Sequence, residues 1–148
     1  MPYEIPPRDK PQSDSGYLEQ MTKSIFQAGF SWKVVRDKWP AFRRAFDGFE
    51  IARVANYDTH DVDRLLADPD IVRNGRKIIA TVHNARIMQQ LIAEHGSFHS
   101  YLRSLDYLNY PGRRSELRQR FSHLGPTGVF TFLWGVDEEV PRWEDRNS

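Results

Sequence analysis

Apolar residues recur at intervals of three and four along most of this chain, and no stretch alternates convincingly as a strand would. From Tyr17 to Ala28 the positions Leu18, Met21, Ile25 and Ala28 share one helical face, and Gly29 stops the helix. Ser31 can cap a second helix carrying Trp32, Val35 and Trp39 on one side. Pro40 fits the first turn of a continuation through Phe46, which breaks at Asp47-Gly48. Another short helix is expected from Thr59, with Asp61 and Asp63 in its first turn and Val62, Leu65 and Leu66 following, to an end at Asp68-Pro69. The longest periodic stretch runs from Arg76 to Glu94, where Ile78, Val82, Ala85, Met88, Leu91 and Ile92 form a stripe that Gly96 closes. Ser97 opens a helix with Phe98, Tyr101 and Leu102. After a turn at Tyr110-Pro111-Gly112, Ser115 to Leu124 and Thr127 to Val136 read as two final helices.

The pattern predicts an all-α fold, a compact helical domain of roughly seven or eight helices over residues 16–136. Residues 1–15 hold four of the nine prolines without apolar periodicity and are expected to form an extended arm. Residues 137–148 are expected as a polar, frayed tail. A chain of 148 residues suits one domain with a single core, and 39% hydrophobic against 28% charged residues is the balance of a folded globule.

Cysteine is absent, which excludes disulfides, thiolate nucleophiles and cysteine-ligated metals together. No apolar run approaches the ~20 residues of a membrane span, and the polar N-terminus does not read as a signal, so a cytoplasmic protein is expected. The net charge of +1 does not by itself announce nucleic-acid binding. Basic residues nevertheless gather at Arg36/Lys38/Arg43/Arg44, Arg73/Arg76/Lys77 and Arg113/Arg114/Arg118/Arg120. Such runs are more often solvated helix faces than binding sites.

Several reaction classes lack their motifs: there is no P-loop, GxGxxG, HExxH or GxSxG. Only His95 and His99 stand four apart, and Gly96 interrupts a helix between them, so no metal is expected. Two segments offer positive signals. DPDIVRNGRKI (68–78) places Gly75 among Arg73, Arg76 and Lys77 where a helix opens, an arrangement that presents backbone N–H groups and cations to a phosphate. The same residues also suit an ordinary interhelical turn. QAGFSW (27–32) puts Phe30 on a turn between helices with an indole close behind. Phe30 could wedge into a base stack and Trp32 hold an extruded base, or both could be core.

Four blocks in order, QAGFSWKVVRDKWPAFRRAFDGF (27–49), DVDRLLADPDIVRNGRKIIATVHNAR (61–86), GSF (96–98) and LGPTGVFTFL (124–133), resemble the DNA-3-methyladenine glycosylase I family. The resemblance runs from about Tyr17 to Val136 and implies the helix–hairpin–helix DNA glycosylase fold. Such proteins flip N3-alkylated adenine from duplex DNA into an aromatic pocket and hydrolyse its glycosidic bond without a cofactor. It assigns base stacking to Trp32, duplex wedging to Phe30, and phosphate contact to Arg73, Asn74, Gly75, Arg76 and Lys77. Gln27, Gly29 and Thr127 join the DNA-facing set, and Tyr3 and Tyr17 are candidate substitutes for the family's pocket tyrosines.

Three departures from the family matter, one being the proline-rich arm that replaces its tyrosine-bearing N-terminal segment. Its terminal zinc ligands have no counterparts, so the ends must be pinned by packing or not at all. Its pocket glutamate falls at Ser24, which can make one hydrogen bond but offers no negative charge to a cationic base. An N3-alkylated adenine already carries positive charge and leaves readily, so excision of that class is still expected, with neutral bases as poor substrates. The alternatives are a catalytically impaired damage-sensing module, which Ser24 favours, and a helical scaffold without DNA. Exposure of Trp32 is expected to separate them: a solvent-facing indole suits the first two and a buried one the scaffold. A monomer is expected.

Overall fold

The computed structural model describes residues 7–148. Among them lie eight α-helices and no strand: α1 Asp14–Gln27, α2 Trp32–Ala45, α3 Ile51–Ala55, α4 Thr59–Leu66, α5 Gly75–His95, α6 Phe98–Arg103, α7 Tyr110–Arg120 and α8 Pro126–Gly135. Two 3-10 turns, Asp47–Phe49 and Trp143–Asp145, complete the order. The all-α class predicted from periodicity is the observed one. Helix α1 is central, touching α2, α3, α5, α6 and α8, and one apolar cluster joins its buried Leu18, Met21, Ile25 and Phe26 to α5 and α8. The α5 stripe is buried from Ile78 to Leu91, with Ile92 packed at its edge.

Differences from the expected boundaries have local causes. Helix α2 runs through Pro40 instead of restarting there. A proline inside a helix costs about 3 kcal/mol, but Trp39 and Phe42 are buried beside it, and each such side chain contributes about 1.5–3 kcal/mol. Helix α7 begins at Tyr110, because Asn109 accepts from the Gly112 N–H at 2.9 Å and Pro111 falls in the first turn, where its missing N–H costs nothing. It ends at Arg120, short of Leu124. Phe121 turns into the core, and buried Asn84 clasps Ser122, accepting from its N–H at 2.8 Å and donating to its carbonyl at 3.1 Å.

Helix α3 has no counterpart in the sequence pattern, since five residues are too few for a periodic signal. Arg86 of α5 holds it in place by donating to the carbonyls of Ala55 and Tyr57 at 2.8 and 3.0 Å. Ahead of it, Asp47, Gly48 and Phe49 take φ of 53°, 67° and 59°, three left-handed residues in a row. Two of them are not glycine, a strain of order 1–2 kcal/mol each. The turn lays Phe49 flat on Trp39, centroids 5.3 Å apart, and puts the Asp47 carboxylate 2.6 Å from the donating Tyr57 hydroxyl.

The two ends meet on α8. The Asp9 N–H donates to the Gly135 carbonyl at 3.1 Å, and Arg8 stacks over Trp134 while bonding Asp137 and the Glu138 carbonyl. Of the arm expected over residues 1–15, residues 1–6 lie outside the described part; the rest is fastened down. The stretch expected to fray is folded too: Trp143 is buried edge-on against Phe130, and Arg146 lies 3.8 Å over its ring. Gly135 admits the Gln20 side chain of α1, whose Nε2 would stand 2.3 Å from a β-carbon at that position.

Candidate functional site

Helices α4 and α5 pack on each other and are joined by the connection 67–74, which turns back between them as a hairpin. Asp58 caps α4 reciprocally with Asp61, and Asn74 caps α5 by accepting from the Lys77 N–H at 3.1 Å. Ile71 is buried and anchors the connection, so the backbone around Arg73 to Gly75 is presented outward. Arg73 and Arg76 are exposed and make no ion pair among the described residues. A β-carbon at Gly75 would meet only Leu66, at an ordinary 3.5 Å, so the surrounding protein does not itself require glycine there. Lys77 differs from the two arginines: its ammonium donates to the Ala28 carbonyl at 2.7 Å.

That bond brings the hairpin against the second segment singled out by sequence. Gly29, at φ 86°, reverses the chain after α1, and the Phe30 N–H closes the turn on the Gln27 carbonyl at 2.8 Å. Ser31 then caps α2, accepting from the Val34 N–H at 3.3 Å. Phe30 stands 46% exposed at the tip.

Beneath the turn opens a cleft of about 520 Å³ between the end of α1, the start of α2 and the first turns of α8. Trp32 borders it on one side, and Thr127, Gly128 and Thr131 of α8 line another. Ser24 and Gln27, 2% and 6% exposed, belong to its lining, and Ser24 Oγ and Gln27 Oε1 are buried without a hydrogen-bond partner. Such atoms lose water without compensation, a cost of about 1–3 kcal/mol each. Thr131 is already spent on the Gly128 carbonyl, and Thr127 accepts from Arg146 at 3.2 Å. Among the described residues, no titratable side chain lines the cleft. Lys23 lies over the Trp32 and Trp39 rings at 5.5 and 5.4 Å, borders a different hollow beside the arm, and has its pKa lowered, chiefly by burial.

Ser24, Gln27, Gly29, Phe30, Trp32 and Thr127 are thus gathered around one opening, with the hairpin beside it. Tyr17 lies elsewhere, in the core, its ring 5.0 Å from Phe98 and its hydroxyl 3.4 Å from His99 Nδ1; burial raises its pKa. Tyr3 falls outside the described residues. Trp32 is only 5% exposed, which by exposure alone is the mark of a core residue, yet it borders the cleft. Sequence reasoning missed Gly128 and Thr131. Their signal was available in LGPTGVFTFL, where small residues at 127, 128 and 131 share a helical face. Among the described residues there is no group of three metal-binding side chains and no helix long and apolar enough to cross a membrane.

A family model for methyladenine glycosylase matches residues 9–124. The chain belongs to the methyladenine glycosylase family. DNA-3-methyladenine glycosylase 1 of Escherichia coli K12 is 38% identical over 82 residues, 55% of this chain and 44% of that protein. The Haemophilus influenzae DNA-3-methyladenine glycosylase is 33% identical over 78 residues, 52% and 42% of the two chains. The match therefore spans less than half the length of these curated relatives. Among solved structures, 3-methyladenine DNA glycosylase I of Staphylococcus aureus superposes with a TM-score of 0.76 at 26% identity, covering 86% of this chain and 78% of its own. A variant 3-methyladenine DNA glycosylase I in complex with 3-methyladenine gives 0.75 at 25% identity, covering 99% and 88%. These neighbours agree with the helical architecture of the family throughout.

Proposed function

We propose that this protein is a monofunctional DNA glycosylase that hydrolyses the N-glycosidic bond of alkylated purines such as 3-methyladenine in duplex DNA. The observation that carries the reading is the cleft itself: Trp32 at its border opposite small polar residues of α8, Ser24 and Gln27 with unpartnered buried polar atoms in its lining, and an exposed phenylalanine at the mouth. The hairpin arginines grip phosphates on either side of the lesion, Phe30 fills the gap left in the stack, and the extruded base lies on Trp32. Gln27 Oε1 accepts from an exocyclic amine, and Ser24 Oγ donates to or accepts from the base edge.

Bond breaking needs little from the protein for this class. The cationic base leaves with the electrons of the C1′–N bond and becomes neutral, water adds its oxygen to C1′, and its proton passes to solvent. None of the described residues lining the cleft can protonate a neutral leaving base, which favours lesions that carry their own charge as substrates. The protein acts as a monomer in the cytoplasm and on the nucleoid.

One observation favours a second reading, a damage-sensing module. Ser24 supplies no carboxylate, and none of the other described residues lining the cleft carries one. The scaffold reading draws support only from the low exposure of Trp32. Release of free base from N3-methyladenine-containing duplex, with Trp32→Ala as the control protein, decides between them. Release that depends on Trp32 supports the enzyme, tight binding to damaged duplex without release supports the sensor, and absence of both leaves the scaffold.

A further inference from the structure

Lys77 is the third residue of α5, and its neighbours Arg73 and Arg76 project from the hairpin into solvent. Its own side chain turns the other way. The ammonium bonds the Ala28 carbonyl at 2.7 Å and stands 5.5 Å from the Phe30 ring centroid and 5.9 Å from that of Phe26. Ala28 is the C-cap of α1, whose last turn has no basic residue, so Lys77 brings from another helix the cation that such an end favours. Its pKa is lowered by burial alone, with no carboxylate acting on it.

Among the described residues, this is the one hydrogen bond that reaches the 28–30 turn from outside the α1–α2 connection. The rest of the turn is held only by its own closure on Gln27, next to a glycine at positive φ. We infer that Lys77 is a positioning residue that ties the Phe30 turn to the hairpin, so that the grip on the phosphates fixes where Phe30 enters the base stack. The inference rests on the reading that hairpin and Phe30 both meet DNA. It removes Lys77 from the phosphate contacts expected of it and gives it a task that acts through Phe30. The rigid start of α5 carries the registration: the Asn74 cap holds the first turn, and the ammonium spans from there to the turn. A small misplacement of reacting groups is enough to slow an enzyme strongly.

The test compares Lys77→Met, which keeps the apolar stem against Phe26, Lys77→Arg, which keeps a donor, and an Arg73→Ala/Arg76→Ala double variant. Binding to undamaged duplex is measured across salt concentrations. Extrusion is followed by 2-aminopurine emission in the duplex, release by single-turnover reaction on N3-methyladenine duplex with protein in excess, and folding by thermal melt. The expected result is that Lys77→Met keeps the parent salt slope and affinity within about twofold, while extrusion and single-turnover release fall about tenfold or more. Lys77→Arg should recover most of the loss, and the double variant should lose salt slope instead. A slope that drops by about 0.9 in Lys77→Met, with release unchanged at saturation, makes Lys77 a phosphate ligand and overturns the inference. So does a variant that matches the parent throughout, or one whose losses follow its melting temperature without rescue by arginine. If the parent neither binds nor extrudes, the underlying DNA reading fails and the inference with it.

Discussion

Trp32→Ala separates the two things this side chain does, since it both closes the core and borders the cleft. At 5% exposure the indole is packed on nearly all sides, and truncating such a residue costs about 3–5 kcal/mol of folding stability. For a chain of 148 residues that lowers the melting temperature by about 6–20 °C, at roughly 2–4 °C per kcal/mol. Domains of this size have about 5–15 kcal/mol to lose, so most of the variant remains folded near 15 °C. Loss of stacking on an extruded base is a separate effect of about 1–3 kcal/mol, which slows release of N3-methyladenine between about fivefold and 150-fold. Single-turnover release with protein in excess, measured well below the variant's melt, reads the second effect without the first. Affinity for undamaged duplex should stay within about twofold of the parent, because exposed Arg73 and Arg76 supply it. Trp32→Phe should lie between, retaining a ring at reduced area. A variant that melts early yet releases base at the parental rate would show that Trp32 serves only the core and that the cleft does not hold the base.

Three further outcomes are expected. Ser24→Glu places a carboxylate against a cationic base; at 4 Å the attraction has a ceiling of about 4 kcal/mol, cut by desolvation, so the half-saturating concentration of damaged duplex should fall about tenfold. Because burial raises that carboxyl's pKa, the gain should grow as pH rises, and a pH-independent or absent gain would remove position 24 from the base-binding surface. Arg73→Ala/Arg76→Ala should lower the slope of log affinity against log salt by about 0.9 for each phosphate left without its cation; an unchanged slope takes the hairpin out of the interface. The half-buried Tyr110, whose enclosed hydroxyl finds no partner among the described residues, has its pKa pushed up to about 12, mainly by burial. Its neutral form is the one the fold favours, so its contribution is intact below about pH 10 and is lost as pH rises from there through about 12. Tyr110→Phe should therefore melt no lower than the parent at pH 7 and extend stability on the alkaline side, which pH-dependent melts would check.

Much of the helical order could be read from spacing because the core is built from single helical faces. Leu18, Met21 and Ile25 on α1 and the stripe on α5 are buried as a period of 3.6 requires. Caps by Ser31, Asn74 and Ser97 stand where short polar side chains precede apolar runs. What escapes such a reading is what tertiary contact decides. Helix α3 exists because Arg86 caps its end, and α7 stops because Asn84 clasps Ser122, neither of which leaves a local trace. Trp143 packs on Phe130 in a stretch whose composition is polar. At the site, the motif residues around QAGFSW could be named in advance. The direction of Lys77 could not, since only the fold brings Ala28 beside α5.

The fit of Gln20 against Gly135 limits how this sequence can drift. A β-carbon at 135 would stand within 2.3 to 2.8 Å of the Nε2, Cδ and Cγ of Gln20, too close for that buried side chain to keep its place. An alanine at 135 is therefore tolerated only after position 20 has shrunk, whereas a smaller residue at 20 leaves a hole while 135 remains glycine. The two positions should change together across descendants of this chain, as a matched pair. Gln20 sits one helical turn before Ser24 on α1, and the pair lines the neighbouring hollow beside the arm. A lineage that altered this fit would shift α1 against α8, the two helices that also border the cleft, so the width of that opening would change in two linked steps.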